Sequence, residues 1–146
     1  MKKFFTTALL TVTLISGAFA GNNAAGTKAE SAFKATYPNA QHVRLTDKDD
    51  HTTISFSWNG QKMQAFYDSE GNELATSRNI ELSSLPARAQ KAIASKYGDY
   101  TATEAIELDH VQNGLSYYVS LQNENTKIIL EVSSQGELSV FKKNKL

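Results

Sequence analysis

The sequence predicts an α+β domain: a helix-plus-four-strand unit used twice, its strands joined into one antiparallel sheet of about eight, with both helices on one face. Three observations carry this. Ala32-Phe33 with Tyr37 recurs about sixty residues later as Ala92-Ile93 with Tyr97, each tyrosine followed by a breaker, Pro38 or Gly98, a period that suits a supersecondary unit rather than a solenoid turn. Two alternating runs flank Asn59-Gly60, the strongest short-range hairpin signal because both positions tolerate positive φ. Each half then closes with a glycine turn and a last strand, Asp68-Ser69-Glu70-Gly71 leading to Leu74 and Ser133-Ser134-Gln135-Gly136 leading to Leu138 and Val140.

The first helix carries Ala29, Ala32, Phe33, Thr36 and Tyr37 on one helical face. Thr27 and Glu30 have capping-box spacing at its expected start. The first strand, His42 to Thr46, places Val43 and Leu45 on one side. Thr52 to Trp58 then returns as Gln61 to Asp68, and closing on Asn59-Gly60 sets Phe56 opposite Met63, Ile54 opposite Ala65 and Thr52 opposite Tyr67. A slip of one residue would scatter these apolar groups over both faces. Trp58 is assigned to the core with Ile54 and Phe56, which share its parity.

In the second half, Leu85, Ala89, Ala92, Ile93 and Tyr97 form the helical stripe, with Ser83 or Ser84 as cap, Pro86 in the first turn and Gly98 as terminator. Thr103 to Asp109 alternates around Ile106 and Leu108. A turn at Glu124-Asn125 sets Leu121 opposite Ile128, Val119 opposite Leu130 and Tyr117 opposite Val132. The last strands are offset by one residue relative to their glycines, which predicts a bulge or a different register in one of them. Neither half alone has the apolar surface for a secure core, so the two sheets join edge to edge.

The organisation expected is a signal peptide over residues 1–20, a flexible Gly/Asn/Ala-rich lead-in over 21–26, and one domain over 27–146, with repeats over 27–80 and 81–146. Lys2 and Lys3 precede a short apolar stretch, and Ser16-Gly17-Ala18-Phe19-Ala20 offers the small residues of a cleavage site after Ala20. The stretch falls short of the ~20 residues that span a bilayer, so no membrane anchor is expected after cleavage. A periplasmic or secreted location follows. Two of the 15 basic residues belong to that signal, leaving 13 against 15 acidic ones, a balance without the electrostatic footprint of a nucleic-acid binder. Export permits disulfides, yet the chain has no cysteine.

Enzymatic signatures are missing: no thiol, no Gly-x-Ser-x-Gly elbow, no phosphate-cradling glycine loop and no His-Glu-x-x-His pair. No catalytic residue, metal ligand or cofactor is assigned. His42, His51 and His110 are too scattered for a ligand set and are expected to face solvent. Asp68, Glu70 and Asn72 around Gly71 superficially suggest a calcium loop, but the ligand series is incomplete and lies between strands. Calcium or small-ligand binding, and a small hydrolase, stand as alternatives.

Ala32-Phe33-Lys34-Ala35-Thr36-Tyr37-Pro38-Asn39-Ala40, the Asn59-Gly60 hairpin, Phe66-Tyr67-Asp68-Ser69-Glu70-Gly71-Asn72, and Leu85-Pro86 through Tyr97-Gly98 together resemble the PepSY-like proteins. These are small exported bacterial proteins with a fold similar to the beta-lactamase inhibitor protein. The resemblance spans nearly the whole chain after residue 20. It implies one curved sheet, a location outside the cytoplasm, no established enzymatic activity and, by analogy with the inhibitor, a sheet face presented to another protein. Without cysteine the inhibitor's disulfides are impossible, and a beta-lactamase target is not implied, since fold does not carry function.

The hairpin registers point Thr53, Ser55, Ser57, Lys62, Gln64 and Phe66 away from the helices in the first half, and Tyr118, Ser120, Gln122, Lys127, Ile129 and Glu131 in the second. Most are small or polar, as a water-facing sheet surface requires. Phe66, Tyr118 and Ile129 are the exceptions. They read either as anchors for a protein or peptide of the cell envelope or exterior, supported by Ser55, Ser57, Gln64 and Ser120, or as isolated exposed hydrophobes and cross-strand pairs that merely stabilise the sheet.

Overall fold

The computed structural model describes residues 24–146; the expected signal segment lies outside them. Helix α1 (Ala24–Thr36) precedes β1 (Gln41–Asp47), β2 (Thr52–Trp58), β3 (Gln61–Tyr67) and β4 (Glu73–Asn79). A 3-10 turn (Leu82–Ser84) and α2 (Ala87–Lys96) then precede β5 (Thr101–His110), β6 (Gly114–Gln122), β7 (Thr126–Ser133) and β8 (Leu138–Lys145). The strands form one eight-stranded antiparallel sheet in sequence order. The halves meet where β4 pairs β5, from Ala75 opposite His110 to Asn79 opposite Ile106.

Both hairpins close as the turn chemistry dictates. Asn59 and Gly60 sit at φ 49 and 78, and Ile54, Phe56 and Thr52 face Ala65, Met63 and Tyr67. In the second half Asn123 Oδ1 accepts from the backbone N–H of Asn125 and Thr126 at 3.0 and 2.9 Å. That turn sets Leu121, Val119 and Tyr117 opposite Ile128, Leu130 and Val132.

The helix ends differ from expectation. Helix α1 begins at Ala24, inside the segment expected to be a flexible lead-in, so Thr27 stands a turn into the helix instead of capping it. There its carbonyl accepts the Ser31 hydroxyl at 3.0 Å, and Glu30 pairs with Lys34 four residues on. Ser83 and Ser84 do not cap α2. They belong to the 3-10 turn, Pro86 takes the N-cap position, and the Gln90 side chain reaches back to the carbonyls of Ser83 and Leu85.

Helix α1 packs Ala29 and Phe33 onto Ile54, Phe56, Ala65 and Tyr67, with Leu45 and Trp58 at the margin. Helix α2, with Leu85 just ahead of it, packs Ala89 onto Ala105, Tyr117, Val119, Leu121, Ile128, Leu130 and Val132. A helix is about 10 Å across and strands lie about 4.8 Å apart, so two helices shield roughly half of eight strands. Between the two clusters part of β4–β5 is left unshielded. On the helix side it carries polar groups, Thr76 opposite Asp109 and Arg78 opposite Glu107, the latter two an ion pair at 2.7 Å.

The apolar residues of that strip point the other way. Phe66, Ala75, Ile106 and Leu108 form a third buried cluster, bordered by Leu74 and Tyr118. It sits on the face opposite the helices and closes the joint between the halves.

Four pairings contain bulges. In β1 the register shifts between Gln41 and Arg44, where His42 has φ 52, and Val43 is left 49% exposed. In β5 it shifts between Ala102 and Glu104. Both last strands are bulged: Leu74 is the extra residue of β4 and Phe141 that of β8. The extra residue sends a large side chain toward the helix-free face in each half.

Candidate functional site

The helix-free face is built in cross-strand rows. One row runs Ser57–Lys62; the next runs Arg44–Ser55–Gln64–Ser77–Leu108–Ser116. A third runs Thr53–Phe66–Ala75–His110. The rows nearer the C-terminus are Ile106–Tyr118–Glu131–Ser139, then Glu104–Ser120–Ile129–Lys142, then Thr101–Gln122–Lys127–Asn144.

All seven expected site residues share this face by register, but their accessibility differs. Ser55, Ser57, Gln64 and Tyr118 are partly exposed, and Gln64 Nε2 donates to Ser55 Oγ at 3.2 Å. Phe66, Ile129 and Ser120 are buried at 0, 3 and 3% exposure. The expectation of Phe66 and Ile129 as exposed anchors, with Ser120 in support, is therefore corrected for accessibility. The cause for Phe66 is specific: it belongs to the joint cluster and lies beneath the His51 ring, centroids 5.9 Å apart.

Tyr118 keeps an accessible edge. Its ring meets Phe141 edge to face, centroids 5.2 Å apart at 80°, and its hydroxyl donates to Glu131 Oε1 at 3.2 Å. Burial, and then the Glu131 carboxylate, push the phenol up to about 12, so it remains a donor at neutral pH. Phe141 escaped the sequence reading because only the bulge turns it onto this face. The one-residue offset after Gly136 was the available signal.

The histidines divide. His42 is exposed at the β1 bulge. His51, expected in solvent, is buried, with Nδ1 2.6 Å from Asp50 Oδ1. His110 Nδ1 accepts the backbone N–H groups of Gln112 and Asn113 and shapes the β5–β6 turn.

Among the described residues no group of three or more His, Asp or Glu side chains could hold a metal ion. The Asp68 carboxylate in particular is committed. Slight burial opposes its charge, but the side chain and N–H of Asn72 and the N–H groups of Glu70 and Gly71 hold it below the usual range. Its oxygens accept from Asn72 at 2.8 and 2.9 Å and from Glu70 at 2.9 Å, the ordinary work of an Asx turn.

A polar recess of about 610 Å³ lies at the end of the face, lined by Asp99, Thr101, Thr103, Gln122 and Glu124 among others. Asp99 and Glu124 are both exposed, so the recess does not present the buried charged dyad a small hydrolase would use. No helix among the described residues is long and apolar enough to cross a membrane.

One antiparallel sheet with two helices on a single side, formed by duplication, defines the BLIP-like class of folds, that of the beta-lactamase inhibitor protein. A BLIP-like protein from Bacteroides fragilis superimposes with a TM-score of 0.70 at 19% identity, covering 86% of this chain and 89% of that one. A DUF2874 family protein from Bacteroides ovatus gives 0.72 at 20%, covering 88% and 89%. A Bacteroides eggerthii structure named as "putative periplasmic proteins" gives 0.74 at 14%, covering 88% and 90%. The shared property at these identities is the fold. The chain matches no protein-family model and no curated protein sequence.

Proposed function

We propose that this chain is an exported, non-enzymatic binding module that holds a protein or peptide of the cell envelope or exterior on its helix-free sheet face. Tyr118 and Phe141 anchor the contact, with Ser55, Ser57 and Gln64 as adaptable polar neighbours. The observation that carries this reading is the partly exposed aromatic pair on a face no helix covers, with its hydroxyl oriented by Glu131. Rigid aromatic side chains with a polar handle are the residues that dominate protein interfaces. The BLIP-like and periplasmic descriptions of the structural neighbours support both the binding role and the location. Holding a partner's surface in this way is a route to inhibiting or regulating it.

The test begins with affinity capture of the tagged chain from its native envelope and identification of the partner by mass spectrometry. The Y118S/F141S variant should lose that partner while its far-ultraviolet circular dichroism stays unchanged. Undiminished capture by the folded variant removes this face from consideration.

A further inference from the structure

We infer that the partner segment received by the helix-free face is acidic, and that its carboxylates are met by Lys127 and Lys142 beside the Tyr118–Phe141 pair. This rests on the binding role proposed above and narrows its partner class.

The charge distribution is the first ground. The described residues carry 13 Lys and Arg against 15 Asp and Glu, so the domain as a whole is slightly acidic. Within the helix-free rows Arg44, Lys62, Lys127 and Lys142 stand against Glu104 and Glu131, while Asp99 and Glu124 line the recess beyond the Thr101–Gln122–Lys127 row. Of the two carboxylates within the rows, Glu131 accepts the Tyr118 hydroxyl and keeps its charge, two residues along β7 from Ile129, the partner of Lys142. Glu104 shares a row with Lys142 but lies three strands away, about 14 Å at ordinary strand spacing.

Geometry is the second ground. Lys127 pairs with Asn144, and Lys142 is two residues before Asn144 on the same strand. The two lysines are thus diagonal cross-strand neighbours, with Cβ atoms about 7 to 8 Å apart. Neither takes part in an ion pair among the described residues. Like charges so placed repel mildly and gain when an anion comes between them. Lys142 follows Phe141 in the chain, so an apolar side chain resting on the aromatic pair would bring a neighbouring carboxylate to the lysines.

A discrete acidic segment suits this arrangement better than a polyanion. Two lysines among described residues that carry more acids than bases, 15 against 13, supply little of the long-range attraction that lipid surfaces or nucleic acids require.

The experiment titrates the protein purified as its host exports it with a short labelled peptide alternating Glu and Phe. The comparison probe is the same peptide with Lys in place of Glu. Fluorescence anisotropy reports affinity, and amide chemical shifts report location. The Glu peptide should bind about tenfold tighter than the Lys peptide and weaken between about 50 mM and about 500 mM salt. Its largest shifts should fall at Tyr118, Lys127, Phe141 and Lys142.

K127E/K142E should reverse the preference, and K127Q/K142Q, which removes charge without adding repulsion, should abolish it. Equal affinity for both peptides, an unchanged preference in these variants, or shifts confined to the β1 edge overturns the inference. Tighter binding of phosphatidylglycerol vesicles than of the Glu peptide overturns it in favour of a lipid surface. Should Y118S/F141S weaken binding while the lysine variants do not, the acidic partner fails and the face survives. Should neither pair matter, both readings fall.

Discussion

Gly71 and Gly136 stand in the same relation to different helices. Each has positive φ, 86 and 83. A Cβ on Gly71 would come within 3.0 Å of the Lys28 backbone, and one on Gly136 within 3.0 Å of Ala89 N and Arg88 Cβ. The last turn of each half is therefore seated against the helix that opens it. The duplication is repeated in a close packing contact as well as in the order of elements.

Alanine at either position incurs both a left-handed backbone and a steric penalty. Gly60 is the control, since its φ is 78 but nothing lies within 4 Å of an added Cβ. G60A should cost about 1 to 2 kcal/mol, and G71A and G136A roughly 2 to 4 kcal/mol each. Urea denaturation of the three variants checks this. Equal losses at all three would show that the turns are not seated on the helices.

The buried position of Phe66 leads to a second expectation. As a joint residue at 0% exposure, its replacement by alanine should cost about 3 to 5 kcal/mol. An exposed anchor would cost within about 0.5 kcal/mol. Thermal or urea unfolding distinguishes the two. A near-neutral F66A would mean that the β4–β5 cluster contributes little to joining the halves.

The contrast between Phe56 and Phe66 shows what the sequence encodes and what it leaves out. Phe56 was legible: Asn59-Gly60 fixes the hairpin, period-two alternation fixes the face, and a one-residue error would have been visible. Ile106 and Leu108 were legible as one apolar face of a strand, but alternation does not say which side of the sheet that face takes. The answer depends on where two helices end across eight strands, a tertiary fact with no local sequence signal. In the unshielded part of β4–β5, Arg78 and Glu107 take the helix side and the apolar groups take the other. The same gap placed Phe66 among expected surface anchors and hid the burial of Ile129. For Phe141 the fault was register: the offset after Gly136 announced a bulge but not its position.

Glu73 supplies a pH dependence. Burial raises its carboxyl above the ordinary range; the Tyr67 hydroxyl, donating at 3.1 Å, works against this, and the nearby Asp109 charge adds to it. A raised native value means that the folded chain binds more protons than the unfolded one in the window between the two values. Stability from this group is therefore fully present below the unfolded value and falls as pH rises through the native one. Glu73→Gln removes the titration while keeping an oxygen acceptor for Tyr67. The stability of E73Q relative to the parent should rise from acid pH toward neutrality and then level off. Urea unfolding across that range measures the difference and cancels the opposite contribution of Asp68. A difference independent of pH would mean that Glu73 ionises in the fold as it does in the unfolded chain.

Tyr118 and Phe141 should also be energetically coupled before any partner arrives. Their edge-to-face contact at 5.2 Å joins β6 to β8 across β7, and such pairs contribute about 0.5 to 1.5 kcal/mol beyond the area they bury. A double-mutant cycle of Y118L, F141L and the combined variant isolates that energy, because leucine preserves much of the apolar contact while removing the ring geometry. The Tyr118 hydroxyl contributes separately through Glu131, so Y118F belongs in the same series. It should cost about 0.5 to 1.5 kcal/mol by leaving a partly buried carboxylate without its donor. A positive coupling means that the pair is held rigid in the free protein, so little side-chain ordering remains to oppose binding. Coupling near zero would instead make Phe141 a loosely held edge residue, and its place as an anchor would then depend on the partner to order it.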